Sequence, residues 1–276
     1  MIQKITDCTL LNNGLKMPWL GFGVFKMKDD SEVGPAVRRA LAAGYRSIDT
    51  ASVYGNERGV GRAIRESGVP RNEIFLTTKV WNDDQRKHRT REAFAESLER
   101  LGTDYVDLYL IHWPVKDCYR ETWVELQEIH RSGRARAIGV SNFLIPHLED
   151  LLREGQAVPA VNQVEFHPWL VQPELRRFCR DRQIQFEAWS PLMQGQVANV
   201  PLLRELAQKY GRTPAQIVLR WNLQHEVVTI PKSSNPERIV ENSRIFDFAL
   251  PPADMDLLDA LDESKHLGPD PANFDF

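Results

Sequence analysis

One recurring pattern limits the fold more than any other feature of the chain. Eight times a short, mostly apolar β-like run is followed by a stretch with helical spacing and then a turn. The β-like runs fall at residues 20–25, 46–49, 75–80, 107–112, 135–140, 160–166, 184–189 and 227–231. Runs this apolar suit strands that are covered on both faces. The helical stretches between them are well marked. Val33, Ala36, Val37, Ala40 and Leu41 repeat at three- and four-residue steps before Gly44. Leu148, Leu151 and Leu152 follow Pro146 and run towards Gly155, and Leu203, Leu206, Ala207 and Tyr210 precede Gly211. Gly102 and Gly133 mark two further stops. Thr213-Pro214-Ala215-Gln216 reads as a capping box with proline in the first turn. Strands that alternate with helices build a parallel sheet, because parallel neighbours need a long crossover. Eight such units in about 250 residues predict a closed (β/α)8 TIM barrel of the α/β class, with residues 1–276 forming one domain.

An open, doubly wound sheet is the rival architecture. Its GxGxxG fingerprint is missing, since Gly21-Phe22-Gly23 and Gly59-Val60-Gly61 both lack the third glycine. Asn13-Gly14, between Leu11 and Leu15, predicts a two-residue turn in an N-terminal β-hairpin that covers one end of the barrel. Helical patterns at 201–210 and 254–261 are two extra helices outside the eight repeats.

Charge narrows the function. Lys plus Arg number 35 against 38 Asp plus Glu, a net charge of −3 with no basic block, which disfavours nucleic acid as a partner. No apolar run approaches the roughly 18 residues that cross a bilayer, and residues 1–14 lack the apolar stretch of a signal peptide. Cys8, Cys118 and Cys179 are too few and too scattered for a disulfide framework or a zinc site. A cytoplasmic monomer without a metal is expected.

Barrels keep their chemistry at the C-terminal ends of their strands. Here those ends carry Asp49, Lys79, His112, Ser141-Asn142, Gln163, Trp189-Ser190 and Lys232-Ser233, with Tyr54 five residues beyond Asp49. Taken singly, each has an ordinary structural reading: an N-cap aspartate, a solvated lysine, a core histidine, a packing tyrosine. Together four of them make an acid site. Tyrosine alone titrates near 10, too high for an efficient donor at neutral pH. An ammonium at Lys79 is expected to lower the Tyr54 pKa, Asp49 to keep Lys79 charged, and His112 to hold a carbonyl oxygen beside the phenol. A carbonyl held in this way can accept hydride. No side chain donates hydride, so a nicotinamide cofactor is required.

After the eighth run, Ile230-Pro231-Lys232-Ser233-Ser234-Asn235-Pro236-Glu237-Arg238 opens a helix. Free N–H groups at its start attract phosphate, and Ser234 or Asn235 can cap it. Lys232 and Arg238 add two cations, more than a diphosphate needs, which suggests the 2′-phosphate of NADPH/NADP+. Phe25, Trp81 and Trp113 would wall an apolar pocket for a small carbonyl substrate, beside His112, and Trp189 could stack on the nicotinamide.

The stretch from Gly44 to Glu57, containing Asp49-Thr50-Ala51-Ser52-Val53-Tyr54-Gly55, resembles the first signature of the aldo-keto reductases. Leu101 to Pro114 resembles the second signature, and Ile230-Pro231-Lys232-Ser233 the third. Gly139-Val140-Ser141-Asn142-Phe143 and Asn162-Gln163-Val164-Glu165 are also similar to family segments. The resemblance covers nearly the whole chain. Glu187-Ala188-Trp189-Ser190-Pro191-Leu192-Met193-Gln194-Gly195 is most similar to the bacterial glyoxal/methylglyoxal reductases and the 2,5-diketo-D-gluconate reductases.

The resemblance implies Tyr54 as general acid with Asp49, Lys79 and His112. It implies Ser141, Asn142 and Gln163 on the nicotinamide carboxamide, and Trp189 on its ring, where many animal relatives have tyrosine. Ser190, Leu192 and Gln194 would meet the pyrophosphate, Lys232, Ser233 and Arg238 the 2′-phosphate, and Glu241 and Asn242 the adenine. The short segment after His112 and the short tail after Leu261 imply an open site for small aldehydes, α-oxoaldehydes and some ketones. The alternatives are a sugar or keto-ester reductase of the same family, an NADPH-binding regulatory barrel without turnover, a lens-crystallin-like structural role, and a lyase with Lys79 as Schiff-base nucleophile.

Overall fold

The computed structural model describes residues 2–29, 31–153, 157–274 and 276. Gly155, read above as a helix stop, lies outside them. Two antiparallel strands, β1 (Cys8–Leu10) and β2 (Lys16–Pro18), come first. Eight parallel strands follow: β3 (Phe22–Gly23), β4 (Ser47–Asp49), β5 (Phe75–Val80), β6 (Val106–Ile111), β7 (Ala135–Ser141), β8 (Val161–Glu165), β9 (Gln185–Trp189) and β10 (Val228–Thr229). Each pairs with the next in chain order. The two edges of the sheet also meet. Leu20 bridges Thr229 in parallel, Gly21 N donates to Thr229 O at 2.9 Å, and Thr229 N donates to Trp19 O at 3.1 Å. The sheet is therefore a closed (β/α)8 barrel.

β3 and β10 are shorter than the pattern suggested. Pro231 has no N–H to extend the ladder, and Phe25 leaves the sheet to stand 53% exposed. The extra helices are Pro201–Tyr210 and Pro252–Asp259. The second begins two residues earlier than the pattern indicated, because proline is tolerated in a helix's first turn.

The hairpin corrects one expectation. Leu11 N donates to Leu15 O at 2.9 Å and Gly14 N to Leu11 O at 2.8 Å, so the loop is three residues, Asn12, Asn13 and Gly14. Gly14 has φ +83° while Asn13 stays at negative φ. This is a type I turn closed by a left-handed glycine, not the two-residue turn that needs both central residues left-handed. Leu11 and Met17 of the hairpin join Phe75, Leu108, Leu110, Val161 and Val228 in one buried cluster. The hairpin thus seals the end of the barrel where the strands begin. The opposite end carries the polar residues.

The helix Pro214–Gln224 shows the predicted capping box, with Thr213 Oγ1 accepting from Gln216 N at 3.4 Å and Gln216 Oε1 accepting from Thr213 N at 3.0 Å. Thr213→Ala should cost about 1–2 kcal/mol of stability in urea denaturation, and Thr213→Ser a few tenths. Equal costs would show that the cap contributes nothing.

Candidate active site

β4 and β5 bring the first two candidate side chains together. Lys79 Nζ donates to Asp49 Oδ1 at 2.6 Å and to Thr50 O at 2.9 Å, and both side chains are buried. Tyr54 ends a single helical turn, Ser52–Tyr54, that Ser52 Oγ ties to Lys79 O at 3.0 Å. The turn sets the Tyr54 ring 5.2 Å from the ammonium. His112 follows β6, with its ring centre 5.6 Å from that of Tyr54. The four residues predicted as an acid site are thus neighbours around one point at the strand ends.

The charges follow from this burial. Loss of solvent works against the Lys79 charge, but Asp49 and Tyr54 outweigh it and its pKa ends up raised. Burial, and then the Lys79 charge, hold His112 well below its ordinary value, so the ring is neutral. For Tyr54 the structure corrects the expectation. Burial raises its pKa, Lys79 lowers it, Asp49 raises it again, and the net shift is upward. Asp49 already neutralises the ammonium, so less of that charge is left to stabilise a phenolate. Tyr54 therefore keeps its proton and can release it only to an oxygen more basic than a phenolate.

Next to this cluster lies a hydrogen-bonded network from β7, β8 and β9. Asn142, at φ +65°, donates through Nδ2 to His112 O (2.9 Å) and Ser141 Oγ (3.2 Å), and its Oδ1 accepts from Trp189 Nε1 (2.8 Å). Ser141 Oγ donates to Gln163 O at 2.7 Å. Both ends of the Asn142 amide are thus committed to orienting Trp189 and the His112 backbone. Gln163 Nε2 donates to Asp49 Oδ2 and to Glu187 Oε2, each at 2.8 Å. The hydrogen bonds of its side chain are both made through Nε2, which leaves Oε1 uncommitted among the described residues, and the buried Nδ1 of His112 also has no partner among them. An uncommitted acceptor beside a half-buried indole fits a flat carboxamide-bearing ring such as nicotinamide.

Beyond β9 the backbone turns left-handed at Ser190, Met193 and Gln194. Such clustering of sparsely populated conformations is common at functional sites, and Leu192 lies between them. At the corner after β10, the outcome differs from the expectation. Asn235 Oδ1 accepts from Glu237 N (2.9 Å) and Arg238 N (3.0 Å), so two helix-start N–H groups are not free for phosphate. Lys232 and Arg238 are exposed, and neither pairs with a carboxylate among the described residues. Ser233 Oγ accepts from Asn235 N at 3.1 Å. Glu241 accepts from Thr213 Oγ1 at 2.9 Å, and Asn242 is buried.

The aromatic residues gather at the mouth. Phe25 lies 4.9 Å from Tyr54, and Trp81 lies 5.1 Å from His112. Phe276 stacks on Trp81 at 5.9 Å and meets Trp113 edge-on at 5.2 Å, while Phe274 touches Trp113 at 5.0 Å. Phe276 O accepts from Asn82 Nδ2 (3.1 Å) and Arg86 (2.7 Å). The tail, though short, walls one side of a site expected to be open.

The profile of the Aldo/keto reductase family matches residues 19–263. The chain belongs to the aldo/keto reductase family. It is 54% identical over 271 residues to the glyoxal reductase of Bacillus subtilis (strain 168), covering 98% of each chain. It is 47% identical over 268 residues to the methylglyoxal reductase DkgA of Escherichia coli (strain K12), covering 96% of each. The crystal structure of an aldo/keto reductase from Brucella melitensis superposes with a TM-score of 0.89 at 49% identity, covering 93% of this chain and 99% of that one. The protein is an oxidoreductase that acts on carbonyl groups. Among its described residues no helix is long and apolar enough to cross a membrane.

Two buried carboxylates of this aldo/keto reductase were not singled out from the sequence. Glu187 interrupts the buried strand β9, and Glu165 ends β8. A charged residue inside an apolar run is itself a signal, because burial demands a partner. Burial works against the Glu165 charge, but hydrogen bonds from His167, His266 and Leu267 N hold its pKa down at about 2. Glu165 Oε1 accepts from Leu267 N at 2.8 Å and Gly268 N at 3.2 Å, and Gln194 Nε2 donates to Leu267 O at 2.9 Å. This strap rests on Trp189: a Cβ added at Gly268 would come within 2.5 Å of Trp189 Cη2. Gly268→Ala should therefore cost about 1–3 kcal/mol by denaturant titration and shift the tryptophan emission. An unchanged emission spectrum would mean the strap does not support the indole.

Proposed function

We propose that this aldo/keto reductase uses NADPH to reduce aldehydes and α-oxoaldehydes, glyoxal and methylglyoxal among them, and some ketones, to alcohols. The observation that carries the reading is the grouping of a proton-bearing Tyr54, a charged Lys79 and a neutral His112 in one water-poor corner. The named activities of the Bacillus and Escherichia relatives support the substrate class.

In this reading His112, uncharged, donates an N–H to the substrate oxygen and so orients the carbonyl. When bound, the dihydronicotinamide supplies the hydride that no side chain can. As the oxygen gains alkoxide character it becomes more basic than a phenolate, and Tyr54 releases its proton to it. Lys79 then faces a tyrosinate, which its ammonium stabilises, and Asp49 keeps that ammonium charged and aimed. Phe25, Trp81 and Trp113 hold the apolar part of a small substrate and exclude water.

Gln163 would bind the carboxamide of NADPH, supported by Ser141 and Asn142, with Trp189 against the ring. Ser190, Leu192 and Gln194 would line the pyrophosphate. Lys232, Ser233 and Arg238 would hold the 2′-phosphate with side chains rather than helix N–H groups, and Glu241 and Asn242 would flank the adenine. We further read the chain as one domain acting as a cytoplasmic monomer.

Tyr54→Phe should leave NADPH affinity within about twofold and lower the rate of methylglyoxal reduction by about 10²–10⁴. A variant that kept most of its turnover would remove Tyr54 from the acid role. An active wild type also separates this reading from a regulatory barrel, which would bind NADPH without oxidising it.

Replacing Lys232 and Arg238 by Ala should raise the Kd for NADPH about tenfold or more. NADH, which lacks the 2′-phosphate, should bind within about threefold of its original affinity. Fluorescence titration measures both. Equal weakening would reject the 2′-phosphate assignment.

A further inference from the structure

Glu187 is buried, 1% exposed, and no step of the proposed reaction uses it. Its Oε2 accepts from Gln163 Nε2 at 2.8 Å. Gln163 and Glu187 are register partners on β8 and β9, so their side chains leave the same face of the sheet. The other hydrogen of the same nitrogen goes to Asp49 Oδ2 at 2.8 Å. An amide NH2 only donates and a carboxylate only accepts. Asp49, which accepts only, therefore excludes the reversed amide, and Glu187 gives the second N–H of that nitrogen its acceptor, so the two together favour one orientation. With only one of them, half of that preference is gone and a buried N–H is left unpaired.

We propose that Glu187 is a positioning residue for the cofactor: with Asp49 it locks the Gln163 amide so that Oε1 alone is left to accept the N–H of the nicotinamide carboxamide. This rests on the reading of Gln163 as the carboxamide ligand. The charged groups facing Glu187 are Asp49 on β4 and Lys79 on β5, with neutral Gln163 on β8. Burial and the Asp49 charge push the Glu187 pKa up to about 8, so near neutral pH it mostly carries a proton. A protonated carboxyl holds that proton on one oxygen and still accepts on the other. The contact with Gln163 therefore survives either state.

The test compares NADP+ with its 3-acetylpyridine analogue, in which a methyl ketone replaces the carboxamide and no N–H remains. Affinities are read from tryptophan quenching, without turnover. Glu187→Gln keeps an acceptor oxygen and should keep the wild-type preference for NADP+ over the analogue within about twofold. Glu187→Met should lose about five- to tenfold of that preference, with the analogue's own affinity nearly unchanged. Equal loss for both ligands in Glu187→Met would overturn the role of Glu187. Gln163→Met should lose the same preference, and the double variant should lose no more. A preference that survives Gln163→Met would instead overturn the carboxamide reading itself, and the proposal with it.

If Glu187→Met does not fold, neutron diffraction from wild-type holoenzyme crystals, which distinguishes amide nitrogen from oxygen, decides. Gln163 Oε1 within about 3 Å of the carboxamide nitrogen, with Nε2 on Glu187, supports the inference. A reversed amide overturns it.

Discussion

Inside the barrel, the ion pair between Lys79 Nζ and Asp49 Oδ1 at 2.6 Å governs every polar group around it. Removing either partner of such a buried pair typically costs 3–5 kcal/mol, because the other charge is left without solvent or counterion. Burial is the main cause of the His112, Tyr54 and Glu187 shifts, and the pair adds to each: its ammonium lowers His112 further, and its carboxylate raises Tyr54 and Glu187. One buried carboxylate thus serves three neighbours with different demands. Asp49 can do so because its two oxygens face different ways, Oδ1 to Lys79 and Oδ2 to Gln163. The candidate proton donor and the candidate cofactor ligand are consequently parts of one electrostatic unit.

That unit needs a rigid, dry frame, and the two ends of the barrel supply it differently. At the end where the strands begin, the hairpin inserts Leu11 and Met17 among Phe75, Leu108 and Val228, so buried apolar side chains close that end. At the other end the walls are mixed. The strap from His266 to Gly268 is fastened by Glu165 and lies on Trp189, while Phe274 and Phe276 close over Trp113 and Trp81. Residues far apart in the chain thereby form one rim, consistent with a site that shields a small carbonyl from solvent.

Much of this was legible from residue order. The β-like runs marked all eight strands, the helical periods several of the helices between them, and reading the ends of those runs led to Asp49, Lys79, His112, Ser141, Gln163 and Trp189. Other features were not legible. Asn13-Gly14 fits two loop lengths equally well, and the hydrogen bond between Leu11 and Leu15 selects the longer. Asn235 was read as a possible cap, but its use of the Glu237 and Arg238 N–H groups removes donors expected to face a phosphate. Glu187 stands in plain sight between Phe186 and Ala188, yet its role depends on Gln163 and Asp49, residues 24 and 138 positions away in sequence.

The sequence alone determined the architecture and the identity of the chemical groups, because hydrophobic period, turn residues and strand ends are local properties. Tertiary structure decided their charge states and orientations. The sign of a pKa shift depends on the balance between lost solvent and neighbouring charges, and that balance exists only once the barrel has closed. Hence the phenol of Tyr54, expected to be more acidic than free tyrosine, is less so, because burial raises its pKa and the ammonium beside it already belongs to Asp49.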